Sequence, residues 1–281
     1  MIALLLQAIC AADPFLFSGE RLHSAQMVKQ ISQTLQESQA LKGEAYFQAL
    51  DRAVERQQVT IEMSEPSSQI EPYTYGKART YVVAKPYKRD GVEQWSLSTA
   101  TATAIGGEGV FVTNFHVLEH KVEEGLMVIS SDWEMYPLTE ILVADPAHDF
   151  AVFKVALPPQ VTIPSYPIAT SAVGERVHLV SHPQHHHYFY HQGYISGYKE
   201  GKSTAPGYKP RVVWMYTELG YVTGSSGGGI FNDHGELVGM VSHIWPEYGN
   251  AGKRGEALDR YATKIFERTV PASAILERLA D

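Results

Sequence analysis

The chain has 281 residues, 44% of them hydrophobic, which is enough for one large β-domain or about two average units and too apolar for a disordered polymer. A formal charge of −8 with no basic run excludes the positive face that a nucleic-acid partner requires. The single cysteine, Cys10, excludes an internal disulfide and multi-cysteine zinc sites, and no apolar run reaches the roughly 18–20 residues of an integral membrane span.

Residues 1–12 (MIALLLQAICAA) form a short apolar segment closed by small residues. This predicts a cleaved signal peptide and an exported protein, periplasmic or secreted. No Lys or Arg precedes the apolar core, the first basic residue being Arg21, so a buried N-terminal helix is the alternative. Residues 13–77 read as a helical extension and linker. Val28, Ile31 and Leu35 make one apolar stripe, Phe47, Leu50 and Val54 a second, and Gly43 between them marks a break into two helices. Such a pair packs on the following domain, or else serves as a regulatory or homo-oligomerising surface. Residues 63–75, with two prolines and several small polar residues, read as linker.

From residue 78 the texture changes to short β-rich runs: 80–84, 99–105, 109–113, 126–130, 141–144, 150–155, 176–181, 193–197, 212–217 and 237–243. Gly, Pro, Asp or Asn separate them at short intervals, the pattern of a sandwich or barrel. Pro271 then precedes a closing helix predicted over 272–280.

Chemistry concentrates in Gly224-Ser225-Ser226-Gly227-Gly228-Gly229. Glycines let the backbone turn tightly and let a substrate carbonyl approach, and backbone N–H groups there can receive an oxyanion. Only Ser226 has two glycines directly after it, so it is the candidate nucleophile, with the Gly224 and Ser226 amides as the oxyanion hole. A serine needs a base. His116 ends the strand-like run 109–117 and is the candidate, and Asp149, ahead of the apolar run 150–153, is the carboxylate to orient it. Asp145, beside Pro146, competes for that role.

These stretches resemble the trypsin-like serine proteases, and among them the bacterial HtrA/Deg-type branch: TATAIGGEGVFVTNFHV around His116, ADPAHDFAVFKV around Asp149, and TELGYVTGSSGGGIFNDHGELVGMVS around Ser226. The order His, Asp, Ser, with spacings of 33 and 77 residues, is that of the family. The resemblance implies a mainly β, chymotrypsin-like fold over 78–281: two six-stranded antiparallel barrels, with an α-helical N-terminal extension and a C-terminal helix. It implies a serine endopeptidase acting on polypeptides through His116, Asp149, Ser226 and an acyl-enzyme, with no cofactor and no metal. The alternative is a proteolytically silent or gated binding or chaperone module on the same fold.

Departures from the family pattern carry expectations too. No PDZ domain follows the closing helix, so gating through one is not expected in this chain. Ser225 stands where digestive relatives have the aspartate that pairs with a new N-terminus, so that activation device is not expected either. By the resemblance, the wall of the primary specificity pocket comes from 219–222 and 242–244. Neither stretch holds an acid, which disfavours cleavage after Lys or Arg. Leu219, Tyr221 and Ile244, with Ser242, favour a small or medium apolar side chain. A protonated His243 would instead receive an acidic one. The run 182–191, with His185, His186 and His187, invites a metal reading, but adjacent residues on a strand face opposite ways. A solvated aromatic-rich loop is the plainer reading, and His120 and His148 acquire no role.

Overall fold

The computed structural model describes residues 19–67, 70–92, 94–119, 122, 124–203, 211–248 and 262–280. The leader predicted over 1–12, Cys10 and His120 lie outside them, as does the side chain of His185.

After a short helical turn, α1 (Gly19–Leu22), Ser24 caps α2 (Ala25–Glu37) by accepting the Met27 amide at 3.3 Å. The face of α2 that carries Val28, Ile31 and Leu35 is buried. Gly43, at φ +57°, opens α3 (Gly43–Glu55). Here the buried face is Tyr46, Ala49, Leu50 and Ala53, one position round from the predicted stripe, and Phe47 is exposed. Tyr46 replaces it because its ring can be fully buried while its hydroxyl donates to Leu118 O at 3.0 Å.

A short strand, β1 (Val59–Thr60), precedes the stretch read as linker, and a helix, α4 (Pro72–Lys77), stands at its end. Pro72 starts that helix instead of breaking it, since a helix's first position needs no N–H, and Glu71 caps it by accepting the Thr74 amide at 2.7 Å.

The first barrel comprises β2 (Thr80–Lys88), β3 (Trp95–Gly106), β4 (Val110–Thr113), β5 (Met127–Ile129), β6 (Met135–Asp145) and β7 (Phe150–Val155), closed in the order β2-β3-β4-β7-β6-β5. Both faces of β2 are apolar for a reason: Tyr81 and Val83 point into the barrel, while Val82 and Ala84 meet α2. In β3 the alternation is chemical. Ala100, Ala102 and Ala104 leave room inside for Tyr81, Phe111 and Phe153, whose rings meet at 4.9 and 5.7 Å between centroids. Thr101 and Thr103 face the other way and are fully buried.

The helix carrying His116, α5 (Phe115–Glu119), follows β4. The second barrel comprises β8 (Arg176–Ser181), β9 (Phe189–Lys202), β10 (Arg211–Thr217), β11 (Gly229–Asn232), β12 (Leu237–Tyr248) and β13 (Ala262–Pro271), closed as β10-β13-β12-β11-β8-β9. All the pairings within both barrels are antiparallel. The sequence pattern missed β11, which begins inside the glycine run, and β13, whose charged residues hide its strand period. The closing helix is shorter than predicted: α6 (Ala272–Leu276) stops, and β14 (Leu279–Ala280) pairs in parallel with β1.

Candidate active site

His116 lies in the first turn of α5, and Asp149 ends the turn between β6 and β7 at φ +59°, a left-handed conformation that aspartate tolerates better than most side chains. Each carboxylate oxygen of Asp149 is 3.0 Å from His116 Nδ1. The His116 amide donates to Oδ1 at 3.1 Å, and Ser242 Oγ donates to Oδ2 at 2.5 Å. Asn114, fully buried, donates its Nδ2 to Asp149 O at 2.8 Å and so fixes the strained residue. Asp149 is buried, whereas the His116 side chain keeps 46% of its exposure. A carboxylate on Nδ1 places the proton there and leaves Nε2 as an accessible base. Asp145 is otherwise engaged: it accepts the Ala147 and His148 amides and lies 3.0 Å from His148 Nδ1, the pattern of a capped turn.

The two neighbouring serines are told apart by burial. Ser225 is fully buried and accepts a hydrogen bond from Ser181 Oγ at 3.0 Å, while Ser226 is half-buried. The turn of the second barrel that carries Ser226 is held by the threonine face of β3 in the first. The Thr101 amide donates to Ser226 O at 2.9 Å, Thr101 Oγ1 to Gly224 O at 3.0 Å, and Thr103 Oγ1 to Gly227 O at 2.9 Å. Gly227 has φ +86°, and a Cβ there would collide with Thr101 O and Thr113 Oγ1, so this close approach needs glycine. The amides of Ser225, Gly227 and Gly228 go to carbonyls of Val222, Val241 and Ser225. Among the described residues no carbonyl takes the Gly224 or Ser226 amide, which keeps both available to a developing oxyanion. The Ser226 hydroxyl donates to Ser242 O at 3.4 Å, and no hydrogen bond joins it to His116 among the described residues.

Of the residues assigned to the pocket wall, Leu219 and Tyr221 are buried, and the Tyr221 hydroxyl donates to Arg268 O at 2.8 Å. Ser242 is turned to Asp149, and its oxygen accepts from His243 Nδ1 at 2.8 Å. The His243 ring stands edge-on to Trp214, with centroids 5.2 Å apart, and burial pushes its pKa down to about 4. It is therefore neutral near pH 7, a poor receptor for an acidic side chain. Ile244 packs on the core of the second barrel. The sequence reading missed Glu267: no acid lies in 219–222 or 242–244, yet β13 brings this one against them. The available signal was a lone glutamate two residues before the apolar end of a strand.

His182 is buried and accepts the Tyr188 amide on Nδ1 at 3.1 Å, and desolvation holds it well below the usual imidazole range. His186 packs against Phe189. No group of three or more His, Cys, Asp or Glu among the described residues is placed to hold a metal ion.

The trypsin-like peptidase domain family matches residues 100–240. A curated relative from Hahella chejuensis (strain KCTC 2396), named "Probable periplasmic serine endoprotease DegP-like", is 28% identical over 165 residues, covering 58% of this chain and 33% of that protein. The chain thus spans about a third of that relative's length. A variant of the HtrA-type protease AlgW with a tripeptide superposes with TM-score 0.54 at 17% identity, over 73% of this chain and 60% of the other. AlgW with a decapeptide gives 0.53 at 18%, over 73% and 65%. These two show a shared fold.

Proposed function

The chain belongs to the trypsin-like peptidase family, and on that premise we propose that it is a serine endopeptidase acting through His116, Asp149 and Ser226. The observation that supports this most is the Asp149–His116 pair, 3.0 Å apart, with the Ser226 turn tied across the barrel boundary to the strand beside it. His116 Nε2 takes the Ser226 proton as Oγ attacks the scissile carbonyl, and the resulting imidazolium is stabilised by Asp149. The Gly224 and Ser226 amides hold the oxyanion of the tetrahedral intermediate. His116 then protonates the leaving amine, and water releases the acyl group by the reverse sequence. Every step is supplied by this chain's own side chains and amides.

The second reading, a gated or silent binding module, draws on one observation: the Ser226 hydroxyl is turned to Ser242 O and not to His116. Catalytic hydrogen bonds are often long or misaligned before substrate binds, so the peptidase reading takes precedence. The DegP-like relative, named as a probable periplasmic endoprotease, supports an exported chain acting on polypeptides.

A fluorophosphonate probe applied to the full chain, with mapping of the labelled peptide, tests the proposal. Labelling at Ser226, lost in Ser226→Ala along with nearly all peptide hydrolysis, is the expected result. A folded chain that takes no label transfers the weight to the binding module.

A further inference from the structure

We propose that the outside of the second barrel carries a binding site for a small aromatic carboxylate, anchored by Arg268 and separate from the Ser226 site. In the sheet register Arg268 on β13 lies opposite Tyr216 on β10 and His243 on β12, Tyr216 lies opposite Gly197 on β9, and Phe266 lies opposite Trp245. Met215 and Ile244 belong to the core of this barrel, so their neighbours Tyr216 and Trp245 face outward. Residues two apart on a strand share a face, which places Lys199, Tyr216, Phe266, Arg268 and Trp245 on one surface. Gly197 leaves a gap in that surface, with nothing within 4 Å of where its Cβ would stand. The gap has aromatic walls. Tyr216, Phe266 and Trp245, with Tyr198, border a cleft of ≈ 780 Å³, within the size range of small-molecule sites. Tyr216 and Phe266 meet edge-on with centroids 5.9 Å apart, and Trp245 is 51% exposed. None of Ser226, Leu219, Tyr221, Ser242, His243 and Ile244 lines this cleft.

Arg268 supplies the charge. Its guanidinium lies over the Trp245 ring, 4.3 Å from the centroid, and its buried Nε has no acceptor. Among the described residues it makes no ion pair and no side-chain hydrogen bond. A partly buried cation held only by an aromatic face lacks a counter-charge, and a carboxylate supplies one through charge-assisted hydrogen bonds. The acids that border the cleft do not fill that role. Glu267 is committed elsewhere: Oε2 accepts the Leu219 amide at 2.7 Å and Thr217 Oγ1 at 3.1 Å, and Oε1 accepts the Gly220 amide at 2.5 Å. Glu218 is exposed, as is Lys199, and these two rim charges of opposite sign offset one another in water. The partly desolvated charge is Arg268, so an anion is preferred over a cation. Three ring side chains around the gap favour an aromatic body, which can meet them by face or by edge.

Calorimetric titration of the full-length protein with 2-naphthoate and with its neutral analogue 2-naphthamide tests the site. The carboxylate is expected to bind about tenfold or more tighter than the amide. Arg268→Gln is expected to erase that margin and bring both ligands to one affinity. Gly197→Leu fills the gap at a position with open space and no left-handed backbone, and it is expected to abolish binding of both ligands while the thermal transition stays in place. That variant keeps the test decisive should Arg268→Gln fail to fold. Absence of binding, equal affinities in the wild type, a margin that survives Arg268→Gln, or binding that survives Gly197→Leu overturns the inference. Fluorophosphonate labelling separates this site from the catalytic one. Protein whose Ser226 already carries the label should bind 2-naphthoate as before, and binding lost on labelling places the ligand at Ser226 and overturns the inference. A chain that binds 2-naphthoate with these dependences but takes no label keeps the Arg268 site and loses only the peptidase reading.

Discussion

Asp149 carries two demands that rarely coincide in one residue: a left-handed backbone and a carboxylate aimed at Nδ1 of His116. Asparagine satisfies the first and fails the second, because one of the two oxygens that face the His116 ring, the His116 amide and the Ser242 hydroxyl becomes an NH2 that cannot accept a proton. Asp149→Asn should therefore melt close to the wild type while kcat falls by about 10³–10⁴-fold, the size of the effect when the orienting carboxylate of such a triad is amidated; a loss below tenfold would place the base elsewhere. His243 makes a different prediction. Its folded pKa, about 4, lies below the ordinary 6.5, so between these values the unfolded chain binds the extra proton. The stability this neutral ring protects is complete above pH 6.5 and is lost as pH falls toward 4, by at most ~3 kcal/mol. Fully buried His182 acts with the same sign. Urea midpoints should fall between pH 7 and 4.5, and His243→Asn, which can still bond Ser242, should flatten that slope; an unchanged slope would put the proton uptake on other groups.

At the scale of elements, α5 is too short to hold His116 by its own hydrogen bonds and is braced from outside. Lys85 Nζ donates to Val117 O at 2.6 Å and the Tyr46 hydroxyl to Leu118 O at 3.0 Å, so β2 and α3 together receive carbonyls that the last turn leaves unpaired. Tyr46→Phe keeps the ring and removes one donor over a buried acceptor. A destabilisation of about 1–2 kcal/mol is expected, with kcat lowered more than KM is raised, because the turn that carries His116, the proposed base, loosens; loss of stability at unchanged kcat would show a purely architectural bond. Such braces explain what could be read in the sequence and what could not. The strands of the first barrel were legible because period-two apolar runs and turn residues are local signals, and the Ser226 turn because its glycines are adjacent in sequence. Tyr46, Asn114 and Glu267 were not, because each takes its role from a partner 72, 35 or 48 residues away. No local pattern distinguishes a glutamate that caps two distant amides from one that faces water.

At the scale of the molecule, the helices of residues 25–55 bear on whether the N-terminal extension covers the cleft or supports the fold. Their apolar faces are spent on the first barrel. Met27, Val28, Ile31 and Leu35 close over Val82, Ala84, Leu97, Met127 and Ile129, and Tyr46, Leu50 and Ala53 join the core that contains Val117 and Leu118. The extension is also tied to the far end of the chain: β1 pairs with β14, and Arg278 donates to Arg56 O at 2.6 Å and Ala144 O at 3.1 Å. Removing residues 1–58 would expose several large side chains at roughly 1.5–3 kcal/mol each, a sum comparable to the whole 5–15 kcal/mol that keeps a domain folded. His116 meanwhile is already open to solvent with the helices in place. The truncated chain should therefore unfold or aggregate and lose fluorophosphonate labelling together with its thermal transition, whereas Arg278→Ala, which cuts the clamp and a 3.5 Å contact to Asp145, should lower Tm and leave labelling at low temperature intact. A truncated chain that melted within a few degrees of the full one and took label faster would instead make these helices an inhibitory cover.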